Sequence, residues 1–287
     1  MRQSIIQAAA IAMLAASPMA ALAAAPLQGT YALPEGQPKV SATLAATPGT
    51  SSHVAVDVAM TALGQPHPIT QYETELSKKL HVIAISSDFR TFVHEHGDRP
   101  DRDGHFRIAV PLPDPGLYHV YADGVPAGLG QQVMRFELKV GNAPAVPAPA
   151  PKPSGLEAAD GSYAIRFDPF TLHAGQESQL NLHIARKGQP ASDVTPFLGV
   201  AAHAVFIDAA DLTYVHVHAA PTAASPAGND DAMAGMEGMG APLPAGSHMP
   251  PDLALHILAP KAGTYLLWLQ FMAGGQVRTV PFTVAVT

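Results

Sequence analysis

One histidine pattern occurs twice in this chain, and its surroundings are repeated with it. His81 is followed thirteen residues later by His94 and then by His96, and His203, His216 and His218 repeat that spacing. The flanks correspond, KLHVIAISSDFRTFVHEH against AAHAVFIDAADLTYVHVH. The correspondence runs on: Phe106 stands twelve residues before Tyr118, and Leu253 twelve before Tyr265. Both halves close on a long strand-like run, QQVMRFELKV and GQVRTVPFTVAV. A duplication of this extent is a strong constraint, because whatever architecture one copy adopts the other adopts too.

Between the copies lies GNAPAVPAPAPKPSG, a proline-alanine run that favours extended polyproline geometry and reads as a semi-rigid spacer. The sequence therefore divides into a leader at 1–23, a first domain at 24–140, a linker at 141–155 and a second domain at 156–287. The second copy carries an insertion at 228–250.

Runs such as HVAVDVAM, HVIAI, LYHVYA, QLNLHIA, HAVFI and TYLLWLQF are short, rich in β-branched and aromatic residues, and bounded by Gly, Pro, Asp and Asn. No stretch combines a helical period with caps. The expected fold is all-β: two tandem antiparallel β-sandwich domains, immunoglobulin-like or cupredoxin-like, from an internal duplication. The chain has no cysteine, so each sandwich must be held by its own apolar core. Thiolate zinc sites, cysteine nucleophiles and blue-copper electron transfer are excluded with it.

The N-terminus reads as a secretory signal: Arg2, an apolar run from Ile5 to Ala16, and Ala21-Leu22-Ala23 as the cleavage site. The apolar run is too short to span a bilayer. The expected product is periplasmic or secreted, with no membrane insertion after signal cleavage. A net charge of −7 without a basic stripe argues against a nucleic-acid partner.

If each histidine segment is a hairpin turning about Ser87-Asp88 or Ala209-Ala210, His81 lies opposite His94 and His203 opposite His216. Residues two apart share a face, so His96 and His218 join their triads. Three imidazoles with an open fourth position form a known metal site. Ile83, Ile85 and Phe92 share that face, as do Val205, Ile207 and Tyr214, so the triads are expected where the apolar interior of each sandwich ends. Histidines hydrogen-bonded to each other and to backbone would give the same pattern without metal. Glu75 is a possible carboxylate partner of His81, and His119 and His256 are possible supports for the ligands.

The insertion holds Met233, Met236 and Met239 at a spacing of three among glycines, with His248 and Met249 nearby. Thioethers are soft ligands that select Cu(I), and a glycine-rich setting offers little core for them to fill. The metal ligands expected from sequence are thus His81, His94, His96, His203, His216, His218, Met233, Met236, Met239, His248 and Met249. Copper is the expected ion, as Cu(II) at the histidines and Cu(I) at the methionines, with zinc as a second possibility.

At QYETELSKKLHVIAISSDFRTFVHEH, LYHVYAD, GQQVMRF and LGVAAHAVFIDAADLTYVHVH the chain resembles a family of exported bacterial two-repeat proteins. Their pattern is M-H-L-I-V-V, an acidic turn, F-x-H-x-H-P, a G-x-Y strand and a Q-Q-V-F-R-F strand. The resemblance implies an association with heavy-metal and copper handling, and no particular activity. Here Gly97 and Ala219 stand where that pattern has proline, and Leu80 where it has methionine. The expected function is copper buffering, carriage or delivery, with the metal ion and a periplasmic or membrane metal-handling protein as partners. The chain carries no serine triad, nucleophile elbow or paired-carboxylate motif, so it is not expected to be an enzyme. The alternatives are a structural or interaction module without metal, and a histidine-metal enzyme.

Overall fold

The computed structural model describes residues 25–49, 52–75, 77–143, 152–222 and 242–287. The proposed leader, the middle of the linker and Met233, Met236 and Met239 lie outside the described residues.

The first copy is built from β1 (Leu27–Gln28), β2 (Thr30–Tyr31), β3 (Val40–Pro48), β4 (His53–Ala62), β5 (Leu80–Ser86), β6 (Phe92–Gly97), β7 (His105–Pro111), β8 (Gly116–Gly124) and β9 (Gln132–Val140). They form two antiparallel sheets, β1-β3-β4-β7 and β2-β9-β8-β5-β6. Leu44, Val58, Leu80, Val82, Phe106 and Phe136 fill the space between them.

The second copy comprises β10 (Glu157–Asp160), β11 (Tyr163–Phe167), β12 (Glu177–Arg186), β13 (Gln189–Pro190), β14 (Val194–Thr195), β15 (Ala202–Asp208), β16 (Tyr214–Pro221), β17 (Asp252–Leu258), β18 (Gly263–Ala273) and β19 (Gln276–Val286). Here hydrogen bonding runs from one layer into the other, because β16 pairs with β15 along its start and with β17 through Ala219, Ala220 and Pro221. All strand pairs within both copies are antiparallel, as the sequence predicts.

The two G-x-Y runs have a structural role. Tyr118 donates its hydroxyl hydrogen bond to the carbonyl of Asp114 at 2.9 Å, and Tyr265 to that of Lys261 at 3.1 Å. These are matching tyrosine corners, pinning β8 and β18 to the turns that lead into them. Gly97 also has a steric cause: a Cβ there would lie 2.5 Å from the Phe106 ring. Leu253 is the smaller counterpart of Phe106, and the position matching Gly97 is Ala219.

Burial along β5 and β15 does not alternate; every residue of both strands is buried. Leu80, Val82 and Ala84 face the first sandwich core. Ile83 and Ile85 face the other way and meet Val205, Ile207, Tyr214, Leu266 and Trp268 of the second copy. The outer faces of two sheets thus press against each other and form a third apolar cluster between the domains. Two predictions are corrected here. The proline-rich linker does not hold the copies apart. The histidine faces are also not sandwich interiors but the outer faces that each domain covers for the other.

Candidate metal centre

The hairpin register differs from the sequence expectation by two residues. His81 pairs with His96 and Ile83 with His94; likewise His203 pairs with His218 and Val205 with His216. The turns sit later than predicted. In the first, Ser86 N–H bonds the Thr91 carbonyl, Asp88 accepts from Ser86 Oγ and Arg90 N–H, and Phe89 takes a φ of 59°. In the second, Asp208 accepts from the N–H groups of Ala210 and Asp211, and Leu212 takes a φ of 66°. A two-residue shift preserves the side of the sheet, so the triads still assemble.

Within the first triad, His94 Nε2 lies 3.1 Å from His81 Nδ1 and 3.1 Å from His96 Nε2. In the second, His203 Nδ1 lies 3.2 Å from His216 Nε2. The ligand atoms of each triad all fall within 4.8 Å of one another, and these are the groups of that kind among the described residues. Outer partners fix two tautomers. His94 Nδ1 donates to Gln270 Oε1 at 2.8 Å, and Gln270 is held by its own donation to Thr279 Oγ1 at 2.9 Å. Nε2 of His94 therefore carries the lone pair. His203 Nε2 donates to the Phe197 carbonyl at 3.1 Å, leaving the lone pair on Nδ1.

This geometry fits a metal ion better than a self-sufficient hydrogen-bond cluster. The single lone pair on His94 Nε2 can accept one N–H, from His81 or from His96, but not both. Nε2 of His218 is buried without a hydrogen-bond partner, an arrangement that folded proteins ordinarily avoid. A metal bound at about 2.05 Å by tetrahedral nitrogens separates them by about 3.3 Å, close to the spacings observed.

Electrostatics keep the set ready for an ion. Burial, then the His94 ring, lowers His81 to about 4. Burial and the His216 ring lower His94 to about 3, and burial with His94 and His81 lowers His96 to about 2. His203, His216 and His218 are held well below the usual histidine range for the same first reason, burial. All six are neutral near pH 7, the form that ligates.

The two triads are one cluster. His81 lies 5.3 Å, centroid to centroid, from His216 of the other domain, the same separation as from His94 of its own. His94 lies 5.4 Å from His203 and 5.5 Å from His216. Around them the contacts obey the repeat. Phe92 stacks on Trp268 at 5.0 Å, and the equivalent residues Tyr214 and Tyr121 stack at 5.1 Å. Asp123 sits opposite His81 and Gln270 opposite His203. Gln270 reaches across to His94, and Asp123 reaches across to His216, with Oδ2 3.5 Å from Nδ1. Tyr214 donates to that same Oδ2 at 2.9 Å, and Gln131 donates to Oδ1 at 2.9 Å. Burial raises Asp123 above the usual carboxylate range.

Other expected site residues are placed differently. Glu75 offers His81 its backbone rather than its carboxyl group. That carboxyl is pushed up to about 8 by burial and by the charge of Asp123. His119 lies four residues along β8 from Asp123, roughly 13 Å away, and is not part of the cluster. His256 is exposed, 3.7 Å from Glu177. His248 is exposed, while Met249 is 3% exposed and packs in the second sandwich core. Core packing, not an open thioether, is the observed placement of Met249. Asp123 and Gln270 were not anticipated. Their signal was a buried acid or amide inside the otherwise apolar strands LYHVYAD and LLWLQF.

Fold and site together define a tandem β-sandwich protein with a histidine cluster buried between its domains. The chain belongs to the family described as Domain of unknown function (DUF8832), whose model matches twice, at residues 35–142 and 157–287. No curated protein matches it. Among solved structures, it is similar at 12% identity to the native conformation of Escherichia coli alpha-2-macroglobulin, over 92% of this chain and 15% of that one, with a TM-score of 0.23. A chimeric titin Z1Z2 carrying a decorin-derived KLER peptide is similar at 11% identity, over 92% of this chain and 99% of that one, with a TM-score of 0.19.

Proposed function

We propose that this chain is an exported, non-enzymatic metal-binding protein that holds copper at its histidine triads and buffers or carries it to a metal-handling partner. The observation that carries this reading is the convergence of neutral imidazole nitrogens at 3.1–3.2 Å with outward hydrogen bonds fixing the tautomers of His94 and His203. An all-imidazole set suits Cu(II) and, below it, zinc, in the usual affinity order of first-row divalent ions. Export rests on the leader-like N-terminus. The insertion with Met233, Met236 and Met239 joins β16, which bears His216 and His218, to β17, a connection that suits a soft entry point for Cu(I).

The test is metal analysis of the purified mature chain after loading with Cu(II) and removal of unbound ion. Two equivalents are expected, with nitrogen hyperfine structure in the copper spectrum. Replacing His96 by alanine should leave one equivalent, and replacing His218 as well should leave none. A competing reading is favoured by the apolar ring around the cluster, Ile83, Val205, Tyr121 and Trp268: the histidines would be interface packing alone. That reading requires no retained copper and no effect of added metal on the melting temperature, and this outcome would sink the metal assignment.

A further inference from the structure

Resting on the metal reading above, we infer that the two triads form a single dinuclear centre in which each domain positions a ligand of the other. Three observations converge. Imidazoles of different triads come within 5.3–5.5 Å of one another at His81–His216, His94–His203 and His94–His216, against 4.4–5.5 Å between rings of one triad. Two ions held by such rings are near neighbours. Second, the groups that orient the ligands are exchanged. Gln270 belongs to the second domain but holds His94 of the first at 2.8 Å, and Asp123 belongs to the first but lies with Oδ2 3.5 Å from His216 Nδ1 of the second, longer than a hydrogen bond and within reach of forming one. Third, the exchange obeys the internal repeat, since Asp123 and Gln270 occupy equivalent places opposite His81 and His203.

The chemistry of the two orienting groups differs. Gln270 is a neutral acceptor, whereas Asp123 carries a carboxyl group, buried and held by Tyr214 and Gln131. A carboxylate behind a metal-bound imidazole raises the basicity of that ligand. The site containing His216 is therefore the tighter of the two and fills first. Binding there also draws Asp123 toward His216, which tightens the contact between domains before the second ion enters.

Both positions act through the histidines, so they are positioning residues, and the test must show which triad each one serves. The probe is Cu(II) alone, with the full mature chain. In a His218→Ala background only the first triad is intact. There Gln270→Leu should weaken copper binding 10- to 100-fold, Gln270→Glu should restore it, and Asp123→Asn should have little effect. In a His96→Ala background the pattern should invert, with Asp123→Asn weakening the remaining site and Gln270→Leu leaving it unchanged. The unmutated chain should give an isolated Cu(II) spectrum at one equivalent and a dipolar-coupled spectrum at two. Circular dichroism and Trp268 fluorescence confirm folding of each variant. Two bound ions without dipolar coupling, or each substitution weakening the triad of its own domain, would overturn the inference while leaving metal binding intact. Absence of any copper from the parent chain would overturn the function itself.

Discussion

His94 shows how much one side chain of this protein depends on residues far away in sequence. Its own hairpin supplies two neighbours, His81 and His96, but its tautomer is set by Gln270, 176 residues away. The histidine spacing was legible because a β-strand alternates with a period of two, so residues two apart share a face whatever the register. That is why the triads survive a hairpin register two residues from the expected one. Gln270 and Asp123 were not legible as partners of particular histidines, because nothing local says which surface will cover the outer face of β5 or β15. Tyr214 is the residue whose removal should be felt most at this level. Its hydroxyl satisfies the fully buried Asp123 at 2.9 Å. Tyr214→Phe should therefore destabilise the metal-free protein by about 1–3 kcal/mol, read from the midpoint of chemical denaturation. An unchanged midpoint would mean that Asp123 finds another donor.

The strands carry a clearer record. The all-β class and antiparallel pairing follow from short β-branched runs between turn residues, and the structure agrees. The runs HVIAI and HAVFI carry a further signal, their lack of polar alternation. Antiparallel strands with one wet face alternate, and these do not, because both faces are buried. Periodicity alone could not say what the second cover was. The junction of β6 with β7 offers a test of side-chain fit. Gly97→Ala places a methyl group 2.5 Å from Phe106 and should cost about 1–3 kcal/mol. Phe106→Leu copies the second domain's choice and should recover part of that loss when combined with Gly97→Ala. A double-mutant cycle by thermal denaturation checks the coupling, and purely additive effects would contradict it.

For the whole molecule, the cluster imposes a pH dependence whose sign is fixed. The folded-state values of His81, His94 and His96 are lowered to about 4, 3 and 2, whereas an unfolded histidine titrates near 6.5. Between those limits the unfolded chain binds more protons, so stability is intact above about pH 6.5 and falls as the pH drops toward 4. Each such histidine contributes a slope of about 1.4 kcal/mol per pH unit. Denaturation of the metal-free protein at pH 7.5, 6 and 5 measures it, and a flat profile would mean that the histidines are solvated. The apolar ring between the domains leads to a second expectation. A chain cut at a protease site introduced near residue 147 should still elute as one species, because Ile83, Ile85, Val205, Ile207 and Trp268 remain covered. Separation of the halves on cutting would show that the linker, not the packing, joins them. The exchanged contacts also bear on ancestry. A lone copy would expose that same face and would have to bury it against a second molecule, related by a two-fold axis. Duplication within one gene places both faces on one chain, so that their pairing no longer depends on protein concentration. It also releases the two halves from identity, and the divergence of Asp123 from Gln270 and of Tyr121 from Trp268 is the asymmetry that a homodimer could never evolve.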